Sequence, residues 1–162
     1  MPRRLLRDGQ IVDDDWAYAA YGTDDPQAAL IVPFSRWQNE RDLWLAGRRP
    51  RLGVLLSPEH KVASLAADLP RLDLIGLEFS GPAEGRGYSQ ARLLRERWNF
   101  GGELRAVGYV RKDQLFFMAR CGCNSFELDD ADFDGAQAAL SAFSSAYQPS
   151  NDAGLPAKLW RG

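Results

Sequence analysis

A glycine-rich segment in the middle of the chain carries the residue types from which proteins build anion-binding loops. Gly85, Arg86, Gly87, Tyr88 and Ser89 follow an apolar run of strand length and precede a helical pattern. Glycines let the backbone approach a ligand closely, free amides at a helix start point toward an anion, and arginine offers a fork of donors to phosphate- or sulfate-like oxygens. We therefore predict an oxyanion- or phosphate-binding loop at residues 85–89. The alternative is a plain connection, because the spacing matches neither a Walker sequence nor a dinucleotide fingerprint, and turning and capping also need glycine and serine.

Three charged side chains interrupt strand segments that are otherwise apolar. Glu78, Arg105 and Glu127 lie in the middle or late part of these segments. Isolated buried charges are very costly, so each must find a partner or emerge at a strand end. If the strands are neighbours, Arg105 lies between two carboxylates, either in a structural ion network or in the polar floor of a pocket where the carboxylates handle protons. These three residues are the candidates for catalysis.

The cysteines and the single histidine give no basis for a metal or redox centre. Cys121 and Cys123 are too few ligands for a structural zinc or an iron–sulfur cluster, and His60 is the only histidine. Cys121 also lies at the C-terminal end of a predicted helix, where the dipole disfavours a thiolate. We predict no metal site. The cofactor stays unknown, because the sequence has neither a dinucleotide fingerprint nor a cluster motif.

Alternating strand and helix patterns must position these residues. Apolar runs of strand length, each followed by an amphipathic pattern, lie at residues 29–34, 52–56, 74–79, 104–108 and 125–128. This alternation predicts βα crossovers, and hence an α/β fold with a mostly parallel five-stranded sheet. We expect an open, doubly wound sheet, with a partial βα barrel as the alternative. In either fold, ligands belong at the carboxyl ends of the strands.

Length and composition predict one cytoplasmic domain. The chain has 162 residues and is 45% hydrophobic, which is enough to bury a core without disulfides. Residues 1–28 are predicted to form a short N-terminal strand or hairpin, 29–148 the α/β domain and 149–162 a C-terminal tail. The 20 basic and 22 acidic residues nearly cancel, which argues against nucleic acid or an anionic membrane as partner. No run approaches the ~20 apolar residues of a membrane span, and the N-terminus lacks the apolar stretch of a signal peptide.

Four short stretches carry a resemblance to a known family: GRGYSQARLLR (85–95), GELRAVG (102–108), DQL (113–115) and MARCG (118–122). They are similar to a bacterial family of unknown function whose members are commonly encoded beside assimilatory sulfite reductase and are often labelled as candidate oxidoreductases of sulfite reduction. The match is specific over residues 74–128 and looser in the N-terminal third. Tyr109 stands where the family usually has aspartate, and Cys123 where it usually has an aromatic residue.

The resemblance implies a cytoplasmic accessory protein of assimilatory sulfite reduction, as an oxidoreductase that holds an anionic substrate or a cofactor phosphate at residues 85–89. If the usual aspartate at position 109 is a catalytic acid or a ligand, this chain lacks it. One alternative is a non-catalytic partner that docks on sulfite reductase or forms a homo-oligomer, with sheet edges and Trp16, Trp37 or Trp160 as contacts. Another is a phosphate-ligand binding domain unrelated to sulfur. The sequence identifies no reaction and no electron donor.

Overall fold

A computed structural model of the protein describes residues 3–19, 27–47 and 49–146, without the side chains of 142–146. The predicted C-terminal tail at 149–162, including Trp160, lies outside the described residues. Within them, no helix has the length and apolar character needed to cross a membrane.

The described elements alternate strand and helix through most of the chain. The strands are β1 (Arg4–Arg7), β2 (Gln10–Asp13), β3 (Trp16–Tyr18), β4 (Ala29–Pro33), β5 (Leu52–Leu56), β6 (Leu74–Phe79), β7 (Glu103–Gly108) and β8 (Ser125–Phe126). The α-helices are α1 (Phe34–Ala46), α2 (Arg86–Arg92), α3 (Leu115–Cys121), α4 (Asp130–Phe133) and α5 (Ala136–Ala146). Val62–Arg71 and Lys112–Gln114 form 3-10 helices, and a π-helical turn at Leu93–Arg97 continues α2.

The strands form one mixed sheet in the order β2-β1-β8-β7-β6-β5-β4-β3. Neighbouring strands from β3 to β8 are parallel. β1 is antiparallel to both β2 and β8, with Leu6 opposite Phe126. The N-terminal strands therefore belong to the same sheet as the strands of the βα units.

A hydrogen bond across the sheet shows how strongly it curls. The hydroxyl of Tyr18 on β3 donates to Glu127 Oε2, immediately after β8, at 2.7 Å. In a flat sheet, strand spacings of about 4.8 Å would separate β3 from β8 by about 24 Å, far beyond the reach of these two side chains. The sheet is therefore a curled half-barrel, with Tyr18 and Glu127 on its concave face.

The convex face of the half-barrel carries the connecting helices and the main core. Alternate strand residues, such as Val54 and Leu77, pack there against helix residues such as Trp37 and Leu115. Side chains between them point to the concave face, where Trp16, Ile31 and Leu74 contribute to a second, smaller apolar cluster. Charged groups fill the rest of that face, as described below.

The predicted fold class is wrong. Strands do form in all five of the apolar runs, but the sheet has eight strands and is mixed rather than mostly parallel and five-stranded. It is also not doubly wound, because β3 to β8 lie in chain order and right-handed crossovers then place the helices on one face instead of two. The curled half-barrel is nearer to the alternative of a partial βα barrel. The N-terminal strand or hairpin was predicted as an extension, whereas β1 pairs with β8 and so joins the antiparallel pair β1–β2 to the sheet.

Candidate functional site

A cleft opens at the carboxyl ends of β6 and β7, between the loop that follows β6 and helix α3. Its two adjoining compartments, of about 100 and about 390 Å³, share Pro82, Glu84, Tyr88 and Gln114. The smaller one, which we call the acidic compartment, is also lined by Phe79, Gly81, Tyr109, Asp113 and Met118. The larger one, the basic compartment, is also lined by Ala83, Gly85, Arg92, Phe117, Arg120 and Cys121. Ligand sites of βα folds lie at this end of the strands.

Close packing of α2 on β6 forms one wall of the cleft. A Cβ at position 87 would lie 2.6 Å from Phe79 Cε1, so Gly87 is required for this approach. The ring of Tyr88 contacts that of Phe79 edge to face, with centroids 5.0 Å apart. The Tyr88 hydroxyl then donates to Gln114 Oε1 at 3.0 Å, which joins the α2 wall to the turn before α3.

The predicted anion-binding loop at residues 85–89 is already bound by the carboxylate of the preceding residue, Glu84. Glu84 accepts a hydrogen bond from the Arg86 amide at 2.8 Å and ion-pairs with its guanidinium at 3.1 Å. The hydrogen bond from the Arg86 amide is the main reason why the pKa of Glu84 is lowered, and the hydrogen bond from the Arg86 guanidinium lowers it further. Gly85 and Tyr88 line the cleft, whereas Arg86 pairs with Glu84 and the Ser89 amide is bonded to Gly85 within the helix.

Two other arginines supply positive charge to the cleft. Arg92 is 43% exposed and lies 3.6 Å from Glu96, its ion-pair partner one turn further along the helix. Arg120, on α3, lines the same compartment and stacks over the Phe116 ring at 5.8 Å. The sequence patterns indicate the glycine-rich loop but not Arg120. Only the packing of α3 beside α2 brings Arg120 to the cleft.

The cysteine thiols stay protonated. Burial raises the pKa of Cys121 more than the neighbouring guanidinium of Arg92 lowers it. Burial likewise raises the pKa of Cys123 to about 12. The basic compartment therefore offers two guanidinium groups and a neutral thiol, beside the Glu84 carboxylate that pairs with Arg86. Such a set is suited to hold an anion rather than to attack an electrophile.

The acidic compartment offers acceptors that other side chains leave unused. Among the described residues, no group hydrogen-bonds to the Asp113 carboxylate or to the Tyr109 hydroxyl, and Tyr109 is 38% exposed. Tyr109, the position at which the sequence resemblance implied an aspartate, lines the cleft. No group of three or more histidine, cysteine or acidic residues within the described chain is placed to hold a metal ion.

The charged residues predicted inside the strands lie elsewhere, on the concave face of the half-barrel. Arg105 is fully buried, and its guanidinium lies 2.9 Å from Asp14 and 3.0 Å from Glu103. Glu127 is 3.3 Å away. Burial alone would lower the pKa of Arg105, but Glu103 and Asp14 raise it overall. Arg3, which binds Asp14 at 2.7 Å, extends the network toward solvent.

The structure thus brings together two of the three predicted residues. Glu78 is half-buried on the same concave face, at the end of β6, but makes no hydrogen bond or ion pair with the described residues. Glu103 was missed, although its position two residues before Arg105 places both on one face of a strand. Asp14 gave no such signal, since it comes from the distant N-terminal segment. Through its ion pairs with Asp14, Glu103 and Glu127, Arg105 links the N-terminal segment to β7 and to the end of β8.

Comparisons with known proteins place the chain in a family. No curated protein matches it. A family model described as "Bacterial protein of unknown function (DUF934)" matches residues 53–158, a range that includes all of the residues that line the cleft. The chain therefore belongs to this bacterial family of unknown function.

Proposed function

We propose that the protein binds a small anionic ligand in the cleft between the β6–α2 loop and α3, and that it does so as an accessory protein of assimilatory sulfite reduction. The observation that carries the proposal is the pair of guanidinium groups, Arg92 and Arg120, in one compartment at the carboxyl ends of the strands. Guanidinium groups bind tetrahedral oxyanions through several parallel hydrogen bonds. Gly85 borders the same compartment, where the absence of a side chain leaves the backbone open to a ligand.

The proposal keeps the predicted ligand but moves the cation that binds it. Arg86 pairs with Glu84 outside the lining of the cleft, whereas Arg92 and Arg120 line it, so these two arginines take the role that the sequence assigned to Arg86. Sulfite, sulfate and phosphate present similar oxygens to such a site. The link to sulfite reduction rests on the resemblance over residues 74–128, the part of the chain that contains the cleft.

An oxidoreductase role would require an electron carrier that the ligand itself brings. The thiol of Cys121 borders the basic compartment but stays protonated, because burial raises its pKa. A cofactor with its phosphate beside Arg92 and Arg120 would meet this requirement, whereas the side chains of the cleft supply binding and orientation only.

Isothermal titration of the protein with sulfite, sulfate and inorganic phosphate tests the anion site. We expect Arg92→Ala and Arg120→Ala each to weaken binding about tenfold or more, since a hydrogen bond to a charged group contributes about 1.5–3 kcal/mol. Arg97→Ala is the matched control, because Arg97 lies on the same helical stretch but over the Trp98 ring, outside the cleft lining. Absence of binding by all three anions, or equal binding by the arginine variants, would refute the proposal.

A second candidate function is docking on sulfite reductase without catalysis. It is favoured by the exposed aromatic side chains at the cleft, Phe117 at 49% and Tyr109 at 38%, since aromatic residues are typical anchors of protein interfaces. Co-purification of the two proteins, abolished by Phe117→Ser, is the expected result. Failure to co-purify with the reductase would contradict docking, and a monomeric mass in solution would contradict self-association.

A further inference from the structure

The cleft is divided by charge along its length. Asp113 lines the acidic compartment alone, Arg92 and Arg120 line only the basic one, and Glu84 borders both. Tyr88 and Gln114 border both, so the two compartments adjoin at their hydrogen bond. A single ligand that fills both compartments must present hydrogen-bond donors at one end and anionic oxygens at the other.

The Asp113 carboxylate determines which groups of a ligand can bind in the acidic compartment. Glu84 is already engaged by Arg86, whereas the Asp113 carboxylate has no hydrogen-bond or ion-pair partner among the described residues. A second oxyanion placed here would be repelled, while a hydroxyl group can donate to the carboxylate in a charge-assisted bond. Carboxylates bind ribose hydroxyls in the same way in dinucleotide sites.

The other polar groups of the compartment distinguish a hydroxyl from an ammonium group. Tyr109 offers a hydroxyl and Gln114 offers its Nε2 amide, neither of which is hydrogen-bonded within the described chain. The Tyr109 hydroxyl can donate or accept, and the Gln114 Nε2 group only donates, so a ligand hydroxyl, which does both, can accept from either. An ammonium group has donors alone, so it would leave the Gln114 Nε2 group unpaired.

We infer that the ligand is a phosphorylated sugar, bound with its phosphate between Arg92 and Arg120 and its hydroxyls at Asp113, Tyr109 and Gln114. The inference rests on the proposed anion site and names the substrate class for it. The basic compartment, at about 390 Å³, falls within the usual range of small-molecule sites, and the acidic compartment adds about 100 Å³ at its end, where the hydroxyl edge of a sugar would lie. Free sugar phosphates and nucleotides share this chemistry, and they are separated by the test below.

The test measures binding of ribose 5-phosphate, AMP, inorganic phosphate and ribose by isothermal titration. We expect ribose 5-phosphate to bind at least about tenfold more tightly than inorganic phosphate, because each added hydroxyl bond contributes to affinity. Asp113→Asn should remove most of this advantage. AMP that binds more tightly than ribose 5-phosphate assigns the site to nucleotides, and weaker binding assigns it to free sugar phosphates.

The sign of the Asp113→Asn effect makes the experiment decisive. Removing a negative charge near a bound phosphate favours binding of every anion, so a loss of affinity for ribose 5-phosphate can come only from a lost contact to the sugar. The matched control is Glu59→Gln, an exposed acidic residue outside the cleft. Equal affinity for ribose 5-phosphate and inorganic phosphate, or equal strengthening of both by Asp113→Asn, overturns the sugar inference and leaves the anion site standing. Absence of binding by every phosphate compound defeats the anion site itself.

Discussion

Replacing Arg105 by methionine should greatly lower the free energy of unfolding of this protein, because Arg105 compensates the buried acidic charge of the concave face. Methionine keeps an unbranched side chain of similar length and removes the guanidinium. Both Arg105 and Asp14 have side chains that are 0% exposed, and they are 2.9 Å apart. In the variant, Asp14 keeps the hydrogen bond from the Trp16 amide, but its one remaining cationic partner is Arg3, which is 47% exposed.

The magnitude follows from the burial of the network. Removing one partner of a buried ion pair lowers the free energy of unfolding by about 3–5 kcal/mol. Arg105 also contacts Glu103 at 3.0 Å and Glu127 at 3.3 Å, so we expect a loss of about 4 kcal/mol. This is a large part of the ~5–15 kcal/mol that stabilises a typical domain. It corresponds to a melting temperature about 8–16 °C lower.

Urea titration followed by circular dichroism measures the loss directly. With a denaturant slope of about 2 kcal/mol/M, the midpoint should fall by about 2 M. Arg111→Met is the matched control, since Arg111 is 50% exposed in its 3.3 Å pair with Asp132 and should contribute less than about 1 kcal/mol. Adding Asp14→Asn to the Arg105 variant should recover part of the loss, because one uncompensated buried charge is then gone. A midpoint for Arg105→Met within error of the Arg111→Met midpoint would refute this account of the concave face.

Three further predictions concern single residues. Burial alone would raise the pKa of Asp68, but hydrogen bonds from an arginine and a tryptophan of α1 lower it overall, so its contribution to stability is present at neutral pH and lost in acid. Asp68→Asn should therefore lower the free energy of unfolding by about 1–3 kcal/mol at pH 7 and by progressively less below about pH 4, in urea titrations across pH. Gly87→Ala should destabilise by about 1–3 kcal/mol through its clash with the Phe79 ring, while Gly85→Ala, with open space around the new methyl group, should melt like the wild type. Cys123 should resist alkylation in the native protein and react only on unfolding, since burial raises its pKa to about 12; rapid labelling under native conditions would contradict its placement.

The strands of the βα units were predictable because strands buried on both faces are apolar along their whole length. The run at Leu74–Phe79 is an example, and it forms β6. Strand order was not predictable, because the same apolar runs are compatible with helices on one face or on both. The place of the short strand Arg4–Arg7 was not predictable either, because it is decided by pairing with β8, which lies far away along the chain.

The candidate site was predictable in part. Gly85 and Tyr88 were found because turn residues between a strand and a helix have a local signature. Arg120 reaches the cleft only through the packing of α3, which no local pattern encodes. The charge of Arg86 was misleading, because its partner, Glu84, lies two residues away and neutralises it.

Mapping an anion onto the structure in solution tests the central claim most directly. In a titration of the nitrogen-15 labelled protein with inorganic phosphate and with sulfite, followed by amide chemical shifts, we expect the largest changes at Gly85, Arg92, Arg120 and Cys121. Amides of α1, none of whose residues lines the cleft, should stay unchanged. Shifts that saturate at α1, or no saturable shifts at the cleft with either anion, would contradict the assignment of this cleft as the binding site.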